Sequence, residues 1–301
     1  MKNVENVDYL LVDHKIKRMF AKRGVILMPS LESYKKFRWT RKYFEKEPKE
    51  GYFIWVKNQI DFPLSTCITI ASPNVSQSLM NLVVIEKNIK VKMNGVCNAI
   101  KEDLCGKHIG YSKIFLKENS VLEINHLHKW GKKDFVNSNI EFYLGKNSKL
   151  SYMYKNLFPP KKLKMRNLIN TSKNSSANIE IMVNGIDSEI DLSDTLLLEG
   201  KNASGVVRLR LVGRKNSDIN AYSTIIAEVP GKGHLDCQGL LIDKDSRIRL
   251  VPELLDKNNK ALITHEASIG RVSEEELNYL RSRGLTEKEA IDLIVSGFLK
   301  L

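Results

Sequence analysis

Cysteine is scarce in this chain of 301 residues: there are four, Cys67, Cys97, Cys105 and Cys237. Thiols so few and so scattered cannot frame a disulfide-stapled fold, so free cysteines are expected. Seven residues separate Cys97 from Cys105, unlike the short spacing of a zinc knuckle, which argues against a structural metal on that pair. No stretch approaches the ~18 apolar residues of a membrane span, so no membrane role is expected. The opening MKNVENVDYLLVDHKIK lacks the apolar run and small-residue cleavage site of an export signal, and a cytoplasmic protein is expected. Also missing are the phosphate loop, the dinucleotide-binding glycine pattern, the nucleophile elbow and the metalloprotease helix. The chain carries no catalytic motif in its own right and is not expected to be an enzyme.

Acidic residues are the minority, 35 against 48 lysines and arginines, for a net charge of +13. Such an excess can release counterions from a nucleic-acid backbone. The lysines, however, are spread through turns and set beside asparagine, as in EKN, GKN and RKN, instead of forming one basic helix. That distribution points away from specific nucleic-acid binding and fits an acidic protein partner better.

From about residue 50 to 260 the apolar pattern has period two, as in FYLGKNSKLSY, where a polar turn separates two short runs. Turn lysines fall at Lys87, Lys117, Lys146, Lys173, Lys201, Lys215 and Lys244, in steps of 30, 29, 27, 28, 14 and 29 residues. A turn about every 14 residues, with a full period near 28, predicts a coil of two strand passes that stacks on itself. We therefore expect a mainly β protein, a parallel β-helix of two sheets, over an antiparallel barrel or sandwich. Open solenoid ends need covers. Residues 31–46 (LESYKKFRWTRKYFEK) predict an N-terminal helix. Ser273 with Glu276, and Thr286 with Glu289, make two capping boxes, and Gly284 between them can end the first of two helices. The expected organisation is a helical region over 1–49, a β-helix over 50–262 and a helical hairpin over 263–301, whose apolar face docks on the solenoid or receives a partner.

Few residues invite chemistry. On the strand Val121 to Trp130, the side chains of Leu122, Ile124, His126, His128 and Trp130 share one face, so the histidines continue an apolar row. Cys237, in GHLDCQGLLI, shares a face with Leu235 and Leu241. In ITHEASIG, His265 and Glu266 are adjacent, so in an extended strand one points inward and the other outward.

The segment THEASIGRVSEEELNYLRSRGLTEKEAIDLIVSGFL resembles the C-terminal signature of the SufB/SufD family, which assembles iron–sulfur clusters, with the core Tyr279-Leu280-Arg281-Ser282-Arg283-Gly284-Leu285. Upstream, GYFIWV, NLVVIEKNIKVKMNGVC, HIGYSKIFLKENSVLEINHLHKWG, GHLDCQGLLI and VPELL resemble successive family blocks in order, so that the likeness covers roughly residues 50 to 301. It implies a right-handed parallel β-helix flanked by helices. It also implies a complex with the ABC-type ATPase SufC, which would bind the C-terminal helices through Tyr279, Leu280, Arg281, Arg283 and Leu285. The match is nearer SufB, the scaffold, because Cys237 and the His265-Glu266-Ala267 run stand in the matching blocks. A SufB-like chain implies a transient iron–sulfur cluster, with Cys237 as sulfur acceptor and ligand and with Glu266 and His265 completing the site. Cys97, Cys105, His126 and His128 would lie on a path for sulfur from a donor protein. The chain is shorter at its N-terminus than many SufB proteins and lacks their cysteine-rich N-terminal motif. Nothing in the sequence indicates flavin. The paired scaffolds of the family imply a homodimer, or a heterodimer with a sister subunit. Cys237 and Glu266 are 29 residues apart, close to one coil, so the two are expected to stack on neighbouring rungs. The alternative is a SufD-like structural subunit that docks SufC without building a cluster. A β-helix polysaccharide lyase or hydrolase would want clustered catalytic residues on the coil exterior and an export signal.

Overall fold

Strand runs of about ten residues, each closed by a polar turn, bury one pleat face only if successive passes stack. In the computed structural model, which describes residues 8–21 and 23–300, they do so as two long sheets. Residues 1–7, part of the opening segment on which the expectation about an export signal rests, lie outside the described residues. Starting at the C-terminal end, the first sheet orders Leu262–Arg271, Lys232–Leu241, Ser204–Arg214, Ser176–Ile186, Lys149–Phe158, Val121–Lys129, Lys90–Ala99, Leu64–Ile70, Tyr9–Val12 and Lys15–Met19. The second orders Arg247–Asp256, Asp218–Ala227, Glu189–Leu198, Lys162–Thr171, Phe135–Leu144, Lys107–Leu116, Ser76–Ile85, Tyr52–Val56 and Val25–Pro29. From Tyr52–Val56 onward the chain alternates between the sheets, so each strand pairs in parallel with the next but one. The result is a β-solenoid of about eight turns with ~28 residues per coil, as the lysine spacing predicts. Antiparallel pairing among the described residues occurs only at the N-terminal end.

The lysine–asparagine turns have a physical cause. Asn88, Asn119, Asn147, Asn174 and Asn202 all take left-handed backbone angles, with φ between 56° and 61°. Asparagine tolerates that region better than other non-glycine residues. Their side-chain amides then bond from rung to rung: Asn119 donates to Asn88 at 2.8 Å, Asn147 to Asn119 at 2.9 Å, Asn174 to Asn147 at 3.1 Å and Asn202 to Asn174 at 3.2 Å. The inward faces form one continuous core that includes Leu122, Phe142, Ile179, Leu196, Val207 and Ile225. Full burial of each such side chain is worth about 1.5–3 kcal/mol.

The flanks differ in detail from expectation. Helix α1 covers only Ser30–Lys36 and is followed by a 3-10 turn at Arg38–Tyr43. Between them Phe37 is extended (φ −113°, ψ 98°), with its ring 5.9 Å from both Phe53 and Trp55. Packing of that ring overrides the helical pattern. Ahead of α1 lie three strands instead of further helix. At the other end, ITHEASIG is not a junction into helix: Leu262–Arg271 is the last strand of the first sheet, and the solenoid runs on to Arg271. Then come α2 (Glu274–Ser282) and α3 (Glu287–Leu299), each opened by its expected capping box. Helix α3 buries Ala290, Val295 and Leu299, and its Val295 and Leu299 pack with Met182 and Val212. Arg214 reaches Asp292 at 3.2 Å. Helix α2 buries nothing.

Candidate functional site

Strand Lys232–Leu241 sets Cys237 on the inward face with Leu235, and only 2% of the residue is exposed. Burial pushes its thiol up to about 11, against the pull of the Ser223 hydroxyl. One coil on, the register is 30 residues, not 29: His265 lies over Leu235, Glu266 over Asp236, and Ala267 over Cys237. A slip of one residue changes the pleat face. The expected stacking of Glu266 on Cys237 is therefore corrected: within one chain Glu266 stands on the outer face, while His265 shares the inward face with Cys237. The adjacent pair does point opposite ways, as two neighbours in a strand must.

The outer face around Glu266 is strongly ionic. Arg210 clamps Asp236 with two bonds, 2.8 and 2.6 Å, and holds its carboxyl below the usual range despite burial. His234 sits 3.8 Å from Glu266 and shares a 2.8 Å hydrogen bond with Thr264. None of Arg210, His234 or Asp236 stood out in the sequence. Alternation along Leu262–Arg271 could have placed them with Glu266 once the register was known.

Further back, the interior is unexpectedly polar. Gly95 opposes His126 on the next rung. A Cβ on Gly95 would come within 2.9 Å of the His126 ring, so the glycine makes room for it. Cys97 opposes His128. The Cys97 Sγ lies 3.5 Å from His126 Nε2, and that nitrogen lies 3.1 Å from His128 Nε2. Trp130 donates its indole N–H to His128 Nδ1 at 3.1 Å, and Tyr154 reaches the same nitrogen at 3.0 Å. An indole N–H can only donate, so Nδ1 of His128 carries no proton and Nε2 does. His128 thus donates to His126 Nε2. His126 in turn keeps its proton on Nδ1, facing the Tyr152 hydroxyl at 3.3 Å. Burial holds both rings neutral, His126 down to about 4 and His128 well down, and pushes the Cys97 thiol up.

Further buried polar groups stand nearer Cys237, in two separate hydrogen-bonded sets. Asn156 donates to Tyr154 at 3.2 Å, and Asn167 donates to Asp194 at 2.7 Å. Asp194 opposes Ser223 on the next rung, and burial raises its carboxyl to about 7. The Asp194 charge acts on both Tyr152 and Cys237. Among the described residues, Asn156 Oδ1, Asn167 Oδ1 and Asp194 Oδ2 are buried without a partner, so this line can accept a polar guest. Of the residues expected on a sulfur path, Cys97, His126 and His128 come together inside the solenoid. Cys105 does not: it is exposed in a turn with φ of +54°. On the C-terminal helices Tyr279 is 58% exposed and carries Arg283 over its ring at 5.3 Å, while Leu280 and Leu285 are half-buried.

Comparison with known proteins fits this architecture. Residues 68–298 match the family described as SUF system FeS cluster assembly, SufBD core domain. The chain is 32% identical over 256 residues to an iron-sulfur cluster assembly SufBD family protein of Methanothermobacter thermautotrophicus, which spans 83% of this chain and 62% of that protein. It is 27% identical over 297 residues to a family protein of Archaeoglobus fulgidus, covering 92% and 80% of the two. A Staphylococcus epidermidis family protein is 23% identical over 256 residues, 83% of this chain and 55% of that one. The chain thus spans less than two thirds of some of these relatives.

Proposed function

The chain belongs to the SufBD family of iron–sulfur cluster assembly, and on that premise we propose that it is a scaffold that accepts sulfur and iron and builds a cluster transiently. The observation that carries this reading is the interior line of polar side chains between two buried thiols, Cys97 and Cys237. A structural subunit has no use for buried polar groups left unsatisfied, each of which costs about 1–3 kcal/mol. Sulfur from a donor protein would enter near Cys97 and be received by Cys237, beneath the open end of the solenoid. Five rungs separate the two strands, roughly 24 Å at the spacing of paired strands, so the thiols cannot meet. Hydrosulfide would carry the sulfur, taking the outer atom of a Cys97 persulfide as HSS− and passing it to the Cys237 thiolate with release of HS−.

Glu266 and His265 would complete the cluster site. Thiolate and imidazole bind iron, and a carboxylate suits a site from which a cluster must leave. Because Cys237 and Glu266 occupy opposite faces, the site would be completed at an interface with a second copy or a sister subunit placed on the open end. That same separation favours one alternative, a SufD-like subunit that only docks the SufC ATPase through α2. In either case hydrolysis of ATP belongs to SufC. The test is anaerobic reconstitution of the chain with SufC, iron and sulfide, read by its visible spectrum. Cluster bands in the native protein that disappear in Cys237→Ala and Glu266→Ala, with folding and SufC binding intact, support the scaffold. No cluster in the native protein would leave the docking subunit standing.

A further inference from the structure

The geometry points to a second, mononuclear site: Cys97, His126 and His128 hold one borderline divalent cation inside the solenoid, apart from Cys237, and while it is bound Cys97 takes up no sulfur. Their three donor atoms lie within 4.8 Å of one another. The sulfur-to-nitrogen edge is 3.5 Å and the nitrogen-to-nitrogen edge 3.1 Å. A tetrahedral zinc with ordinary bond lengths has edges of about 3.5 and about 3.3 Å. Two edges of a coordination tetrahedron are therefore already in place, and the third, from Cys97 Sγ to His128 Nε2, lies within 4.8 Å. They adjoin a small chamber of about 50 Å³ lined by Thr66, Ser112, Tyr152 and others, which leaves the fourth position to water or a small ligand. A thiolate with two imidazoles suits zinc over ferrous iron, and disfavours magnesium and calcium.

The surrounding groups are those a metal site needs, with one exception. Metal-bound histidines donate their other ring N–H to an acceptor. Tyr152 stands at Nδ1 of His126, and Tyr154 at Nδ1 of His128. Binding through His128 Nε2 moves its proton to Nδ1, so the Tyr154 hydroxyl must turn and donate elsewhere. The unpartnered Asn156 Oδ1 becomes available if that amide, now donating to Tyr154, flips. The exception is Trp130, whose N–H aims at the same Nδ1 and favours the metal-free tautomer. The balance is simple: Cys97 loses its thiol proton, His128 moves one proton between its nitrogens, and each cation bound releases one proton.

The experiment uses the full chain carrying Cys237→Ser, so that it does not depend on the cluster site, with cobalt(II) as the probe under reducing, anaerobic conditions. We expect one cobalt per chain with tetrahedral d–d bands and a thiolate charge-transfer band, displaced by zinc, and an affinity rising about tenfold per pH unit. Cys97→Ser should abolish the charge-transfer band, and His126→Ala should weaken binding at least tenfold. Trp130→Phe should tighten it, because it removes the competing donor, whereas a merely structural tryptophan would give the reverse. Absence of the band, its survival in Cys97→Ser, or weaker binding in a folded Trp130→Phe overturns the proposal.

Discussion

The two ends of the solenoid are made from the same alternating strand, yet one is partly sealed, with Ile16 and Met19 of its edge strand 40% and 42% exposed, and the other is open. At the N-terminal end Tyr9–Val12 adds a rung, Lys15–Met19 turns back on it, and α1 with the Phe37, Trp39, Phe53 and Trp55 rings covers the flank. Phe53 is 0% exposed there. At the far end Leu262–Arg271 has no further strand beside it among the described residues, and Leu262 and Ile269 are 67% and 45% exposed. A free parallel edge with apolar side chains is a template for pairing. Sealing is therefore a local addition of sequence at the N-terminal end, without a counterpart at Leu262–Arg271 among the described residues.

Five substitutions would break or sharpen that contrast. The largest effect is expected at the sealed end: Phe53→Ala empties a fully packed aromatic site and should cost about 4 kcal/mol in urea unfolding. Next is the appendage beside the open end. If Leu280 lies in the SufC contact, Leu280→Asp should weaken binding by roughly 3 kcal/mol, a factor of more than one hundred in Kd, while leaving the urea midpoint of a half-buried position nearly unchanged. Unaltered binding would remove α2 from the dock.

The interior should respond to pH with opposite signs on its two sides. Burial brings His108 down to about 3 from 6.5, so the unfolded chain binds a proton that the folded chain refuses. Stability from this group is complete above about pH 6.5 and declines on acidification toward pH 3, by up to about 1.4 kcal/mol per pH unit. Asp194, nearer the open end, is raised from 3.8 to about 7. There the folded chain holds the extra proton, so stability declines as pH rises from about 4 to 7. His108→Gln should make the acid limb shallower, to which His126 and His128 add with the same sign, and Asp194→Asn should flatten the neutral one, each measured by chemical denaturation across pH. The smallest change is expected at the open end itself: Ile269→Ala should alter monomer stability by no more than about 0.5 kcal/mol, against the much larger loss at Phe53.

Much of this was legible in the residues, for reasons that differ by element. The coil length could be read because each rung needs a turn, and the turns repeat the same lysine and asparagine chemistry. The capping boxes of α2 and α3 could be read because they are local. Phe37 could not, since its extended backbone answers to rings distant in sequence. Nor could the meeting of Cys97 with His126 and His128, which depends on a 31-residue step between Gly95 and His126, longer than the mean coil. The same sensitivity undid the stacking of Glu266 on Cys237. One residue in a turn is invisible to an average period, yet it decides which face of the sheet a side chain occupies.

The central claim is that sulfur moves through the interior from Cys97 to Cys237. It is tested most directly by loading the chain with labelled sulfur from a persulfide donor and locating the label by mass spectrometry of the separated peptides. The account predicts label on Cys237 in the native chain, with little or none in a folded Cys97→Ser variant. Equal labelling of Cys237 in both would contradict it.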